Sequence, residues 1–164
     1  MKLHNIARLK PIKNDSAING SLPGEWYASL LSTGRKGRAA IHFLHNPTMI
    51  SIVVLGRSLT KALNVLPLQV PLFLERNGFS ELIPGFELDT NTEIYSTNSR
   101  HILANMNQMR YEFEYHLAMS EMLYDADIAR LEDLCLNQII GGKIAGSNRY
   151  IRPVDQLKEL LQSD

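Results

Sequence analysis

Apolar and polar positions change their spacing twice along this chain, and each change predicts a different kind of element. After a turn at Pro23 and Gly24, EWYASLLST (Glu25 to Thr33) has the aromatic and aliphatic content of a strand. GRKGR (Gly34 to Arg38) supplies two glycines for a tight loop, and AAIHFLHN and MISIVVLG read as two further strands separated by Asn46-Pro47-Thr48. Short connections between three strands predict an antiparallel meander. From Ser58 the apolar spacing lengthens. SLTKALNVL and LQVPLFLERNGF read as helical and stop at Asn77-Gly78, with Pro67 and Pro71 expected to break the region into pieces. IPGFELDTNT reads as a loop and EIYST as a fourth strand. A long helix follows, with Asn98 or Ser99 as its N-cap. A further helix is expected over Asp127 to Ile139, GGKIAGSNRY reads as a glycine-rich loop, and RPVDQLKELLQ as a short helix with Pro153 in its first turn.

Strands first and helices afterwards, without regular alternation, predict an α+β fold. The expected architecture is an antiparallel sheet of three to four strands packed against a long amphipathic helix and several shorter ones, in a single domain spanning 1–164.

The stretch that carries the long helix, STNSRHILANMNQMRYEFEYHL (Ser96 to Leu117), concentrates polar and ionisable groups. At 100° per residue, Ile102, Met106, Met109, Phe113 and Leu117 fall within an arc of about 80°, which makes them the core stripe. Asn105 and Asn107 project about 160° apart and cannot act as one amide clamp. The polar residues separate into two rows: His101, Asn105, Gln108, Glu112 and Tyr115 in one, and Arg100, Ala104, Asn107, Tyr111, Glu114 and Ala118 in the other. In the second row, the small Ala104 and Ala118 leave room for a partner segment to approach Asn107 and Tyr111. Arg100 at the helix start opposes the macrodipole, so a specific carbonyl or anionic partner is expected there, more readily inside the fold than outside it.

Composition narrows the class of protein. The 164 residues suit one domain with its own core, and 45% hydrophobic with 21% charged residues excludes wholesale disorder. Seventeen basic residues balance seventeen acidic ones, so no overall field draws the chain to nucleic acid or to an anionic membrane. No stretch is apolar enough to span a bilayer, and MKLHNIARLKPIKND lacks the apolar run of a signal peptide. Cys135 is the single cysteine, which excludes an intramolecular disulfide and a cysteine-built zinc site. A cytoplasmic location is expected.

Motifs that would carry chemistry are absent. IIGGKIAGS lacks the spacing and the Ser or Thr of a phosphate loop, and glycines at 141, 142 and 146 do not form a dinucleotide fingerprint. His42 and His45, three apart on a strand, point to opposite faces, so they do not form a metal pair; at least one is expected at or near the surface. Cys135 lies in an apolar helical run, where a thiol packs as a small hydrophobe. Trp26 and Tyr27 are neighbours on a strand, one expected in the core and the other outside, with Trp26 as a packing anchor. Arg35, Lys36 and Arg38 form the densest basic cluster and are the candidate phosphate contacts. No catalytic residue, metal or cofactor is assigned.

Two stretches carry a family resemblance. GEWYASLL is similar to a Trp-aromatic/His-Ala-x-Leu strand, and NSRHILANMNQM to an Asn-Arg-Ser-x-Leu-Gly-x-Met-Asn helix start. Both are found in a family of uncharacterised bacterial domains, catalogued only as a domain of unknown function and sometimes associated with plasmids or mobile elements. Trp26, Ala28, Leu30, Arg100, Leu103, Met106 and Asn107 fit the pattern, which covers about residues 24 to 120. His101 stands where that family has serine, Ala104 where it has glycine, and Gln108 where it commonly has an acid. The resemblance implies a bacterial protein and the order of elements, and no reaction.

Three readings are therefore carried forward. The favoured one is a non-enzymatic module that binds a protein partner, or a second copy of itself, through the outer face of the long helix or a sheet edge. The second is nucleic-acid binding through the Arg35, Lys36 and Arg38 loop. The third is an enzyme or anion-binding protein using Arg100 and Asn107, with His101 or Tyr111 beside them.

Overall fold

The computed structural model describes residues 2–5, 25–86, 88, 93–96, 100–121, 125–144 and 147–162, with the side chains of 2–5, 93–96, 125–126, 141–144 and 147–149 left aside. In chain order the elements are β1 (Lys2–Asn5), β2 (Glu25–Ser32), β3 (Ala39–Asn46), β4 (Ser51–Leu55), α1 (Leu59–Arg76), a 3-10 helix (Ser80–Phe86), β5 (Glu93–Ser96), α2 (Arg100–Met119), α3 (Asp125–Leu136), β6 (Ile140–Ile144), β7 (Ser147–Ile151) and α4 (Pro153–Leu161). The α+β class and the β2-β3-β4 antiparallel meander are as the sequence predicts. The sheet is wider than the meander. Its order is β4-β3-β2-β1-β5, and β1 pairs parallel with both β2 and β5. EIYS does form a strand, but it reaches the sheet through β1, whose four residues KLHN carry no periodic signal.

Both faces of the sheet are covered, because alternate residues of the meander are apolar in both phases. Trp26, Ala28, Ile41, Phe43, Ile52 and Val54 join Leu66, Val70 and Phe73 of α1, Phe86 of the 3-10 helix and Leu157 of α4 in one core. Tyr27, Leu31, Ala40, Leu44 and Val53 join Met106, Met109, Phe113 and Leu117 of α2 with Leu131 and Cys135 of α3 in the other. This corrects two expectations. Trp26 and Tyr27 do point to opposite faces, yet both are buried, and so are both His42 and His45.

Three local readings are corrected as well. Pro67 and Pro71 sit inside one continuous helix, α1. They lie four residues apart on a half-buried flank, and Leu59, Ala62, Leu66, Val70, Phe73 and Leu74 are buried along the neighbouring face. That burial outweighs two missing N–H groups. Helix α1 starts where the Ser58 hydroxyl accepts the Lys61 N–H, and it stops at Asn77-Gly78. There Gly78 takes a φ of +80° and Phe79 N–H bonds back to the Leu74 carbonyl. The loop-like IPGF belongs to the 3-10 helix. GGKI and SNRY, read as loop, form the β6-β7 hairpin, because pairing with a partner strand overrides the poor strand propensity of glycine. The proposed caps Asn98 and Ser99 lie outside the described residues.

Candidate interaction face and buried polar groups

Helix α2 divides by angle as expected. Ile102, Met106, Met109, Phe113 and Leu117 are all buried, 3% exposed or less. Asn105 is also buried, with its amide 3.4 Å from His101 Nε2. The opposite side carries an aromatic stripe: Tyr111 is 67% exposed, Tyr115 61% and Met119 67%. These residues are spaced by four, so their side chains stack along one face. Arg100, Ala104 and Asn107 continue this exposed side toward the helix start, and His101 is half-buried. Arg100 and Asn107 are thus outward-facing and not buried against the sheet. Seven residues separate them, about 10 Å along the axis.

The basic loop is brought to the other end of α2. The Arg35 guanidinium donates to the carbonyl of Ser120, where a cation complements the helix C-terminus. Glu114 Oε1 accepts the Ser32 N–H at 2.9 Å, and a Cβ placed on Gly34 would come within 2.8 Å of Ala118 Cβ. Arg35 is half-buried in this contact, and Lys36 and Arg38 remain exposed. The candidate anion-contact residues therefore form two separate groups at opposite ends of one helix.

Helices α2 and α3 enclose a groove. One cavity of about 240 Å³ is lined by Glu112, Phe113, His116, Leu131, Leu134, Cys135 and Gln138. A second, of about 260 Å³, shares His116, Leu131 and Leu134 and adds Ser120, Asp127 and Arg130. Leu134 is 53% exposed on its rim, and Gln138 donates to Glu112 across one end. Burial, with the Glu112 and Glu132 carboxylates behind it, pushes the Cys135 thiol up to about 12, so it stays protonated.

The interior holds polar groups that sequence spacing could not place. His42 Nε2 is 2.9 Å from Ser51 Oγ, which donates to Met109 Sδ at 3.7 Å. His45 Nδ1 is 2.7 Å from Thr48 Oγ1, and its ring stands 4.9 Å from Trp26 and 4.7 Å from Phe86. Burial pushes both imidazoles down to about 3, which keeps them neutral. The Tyr27 hydroxyl donates to Glu25 Oε2 at 3.3 Å, and burial first, then that carboxylate, holds it well above the ordinary tyrosine range.

Glu132 is the buried carboxylate of α3. Its Oε1 accepts the Val53 N–H of edge strand β4 at 2.7 Å, and its Oε2 accepts from Arg76 at 2.6 Å. Arg76 also bonds Asp133 at 2.7 Å. Burial raises the Glu132 carboxyl to about 7, against the Val53 N–H and Arg76, which lower it. Glu132 thus covers an exposed sheet edge with a side chain. The signal that could have found it is that, of the two acids in ARLEDLCL, Glu132 falls on the apolar stripe of Ile128, Leu131, Cys135 and Leu136. Among the described residues, no group of three His, Cys, Asp or Glu could hold a metal ion, and no helix is long and apolar enough to cross a membrane.

Fold and site together define an α+β domain whose mixed sheet is packed on both faces, with one long helix turning an aromatic stripe outward. The chain belongs to the family described as a domain of unknown function, DUF6933, whose profile matches residues 2–156. This agrees with the uncharacterised family that the two sequence stretches resemble. No curated protein and no solved structure matches it.

Proposed function

We propose that this domain is a cytoplasmic protein-interaction module, not an enzyme, and that it works through the outer face of α2. The observation that supports this is the stripe of Tyr111, Tyr115 and Met119, each more than 60% exposed on a helix whose other side is sealed into the core. Tyrosines at a surface supply large, stiff contact area with a polar tip, the residue type that dominates binding energy at interfaces. Arg100 and Asn107 would add polar contacts at the rim. The buried groups argue against catalysis: two imidazoles lowered to about 3 are weak bases that do not take up a proton near neutral pH, and a thiol raised to about 12 is not ionised for nucleophilic attack.

The test is association of the tagged chain, by light scattering and by affinity capture, compared with the double variant Tyr111→Ser/Tyr115→Ser. The expected result is an association that the double variant loses while its thermal melt is unchanged. Association indifferent to both replacements would refute the role of α2. The nucleic-acid reading rests on the exposed Lys36 and Arg38. It requires a salt-dependent gel shift that the variant Lys36→Glu/Arg38→Glu abolishes.

A further inference from the structure

We propose that the partner of this face is a second copy of the chain, each copy inserting its α2 stripe into the α2–α3 groove of the other to close a two-fold dimer. This rests on the interaction reading above and specifies its partner.

The first argument is placement. With Phe113 taken as facing the core, Tyr115 lies about 200° round the helix and the groove wall formed by Glu112 and His116 about 260° to 300°. Projection and cavity are therefore side by side on the same helix. A two-fold axis passing between them puts each copy's projection over the other's cavity. A self-complementary patch of this kind closes as a pair and does not propagate as a filament.

The second argument is fit. Two cavities of about 240 and 260 Å³ share His116, Leu131 and Leu134, so they lie next to each other. Tyr111 and Tyr115 are one helical turn apart, about 6 Å. Adjacent projections on one surface meet adjacent hollows on the other. The floor is apolar, with Phe113 and Leu131, and the rim carries Leu134 and offers Ser120, Asp127, Arg130 and His116 to a phenol hydroxyl.

The third argument is charge and area. The chain is formally neutral, so two copies approach without net repulsion; the stripe carries Arg110, whose guanidinium lies over the Tyr111 ring at 5.1 Å, and the groove carries Asp127 and Arg130. The stripe with Leu134 would bury on the order of 600 Å² per copy, below the roughly 800 Å² of a standard interface. That predicts a reversible, concentration-dependent dimer.

The experiment combines sedimentation equilibrium of the full chain with photo-crosslinking from p-benzoylphenylalanine placed at position 115. The expected result is a concentration-dependent dimer whose crosslinks join position 115 to residues 127–138 of the other copy. Tyr115→Glu and Leu134→Glu should each weaken the dimer by at least about 30-fold, and Lys61→Glu, remote on α1, should not. Both central positions are more than half exposed, so the variants keep the fold, and unchanged melts verify this. A dimer crosslinked from 115 to residues 104–119 of the other copy would mean stripe against stripe and would overturn the groove. A monomer at all concentrations overturns the proposal. If that monomer still binds another protein through Tyr115, only the identity of the partner fails; if no association depends on α2, the interaction reading fails with it.

Discussion

Glu132 sets two large effects against each other, and the structure decides between them. Its carboxyl is 2% exposed, bonded to the Val53 N–H and to Arg76. The ion pair favours the charged form and desolvation opposes it. A rise from the ordinary 4.5 to about 7 means that desolvation wins. The folded protein then holds this proton more tightly than the unfolded chain does. The stabilising contribution is full below about pH 4.5 and is lost as pH rises through 7, a swing of about 3 kcal/mol. The variant Glu132→Gln keeps an acceptor for Val53 and cannot ionise. Whatever replaces the carboxyl there, including any imperfect contact with Arg76, contributes equally at every pH. Urea unfolding followed by emission of the fully buried single Trp26, repeated from pH 5 to 8.5, isolates the carboxyl in the difference between the two proteins. Wild type should lose about 2.5 kcal/mol relative to the variant across that range, or about 5 to 10 °C in Tm for a chain of this length. Parallel curves, or a wild type that gains on the variant as pH rises, would show that Arg76 governs the site and would refute the reasoning. Glu132→Ala is different: it leaves the Val53 N–H unpaired and should lie about 2 to 3 kcal/mol below Glu132→Gln at every pH.

Buried neutral histidines act in the opposite direction. With His42 and His45 lowered from 6.5 to about 3, their contribution is full above pH 6.5 and falls by up to about 2.7 kcal/mol per pH step as acid protonates the unfolded chain, twice the opposing slope from Glu132. Trp26 emission should shift red in an acid titration well before pH 3, and native emission persisting to that pH would count against burial of either ring. Gly34→Ala should destabilise by about 1 to 3 kcal/mol in thermal melts, because φ is +69° and the new methyl meets Ala118; Gly37→Ala, at +80° but in open space, should cost about 1 kcal/mol. Pro71→Ala restores an N–H for the Pro67 carbonyl inside α1 and should raise stability by about 1 kcal/mol; a loss would mean that the stiffness of proline in the unfolded chain outweighs the missing bond.

Periodicity revealed elements that bury a single stripe or stop at an unambiguous signal. The α2 stripe from Ile102 to Leu117, the loop from Gly34 to Arg38 and the Asn77-Gly78 stop are of this kind, since each depends on residues near in sequence. What stayed hidden depends on distant partners. Strand β1 is four residues long and is held by neighbours on both sides, and the β6-β7 hairpin owes its pairing to register across glycines that favour no strand. Trp26 and Tyr27 illustrate the same limit: alternation correctly sends them to opposite faces, but only the placement of α1 and α2 on those two faces makes both of them interior. Arg100 and Asn107 were legible as a pair on one row of α2, and their exposure was not, because spacing reports direction along a helix and not what lies in that direction. Glu132 was least visible, since its role is fixed by an edge N–H contributed 79 residues earlier.

The distribution of polar groups bears on function as much as the stripe does. An enzyme keeps its working acid or base near the pH at which it acts, within reach of a cleft. Here the imidazoles at about 3 and the thiol at about 12 are far from neutrality, and each is held there by the packing that forms the two cores. Among the described residues, the buried group raised to near neutrality is Glu132, and it has both oxygens engaged, on a strand edge and an arginine. Freeing that carboxylate for a substrate would expose the β4 edge and leave Arg76 without its buried partner, a cost of a few kcal/mol set against a marginal total stability of about 5 to 15 kcal/mol. Groups that cannot be released without loosening the fold serve the fold. Among the described residues, the outer face of α2 with its neighbouring groove is available at no such cost, and the recognition proposed there asks nothing of the interior.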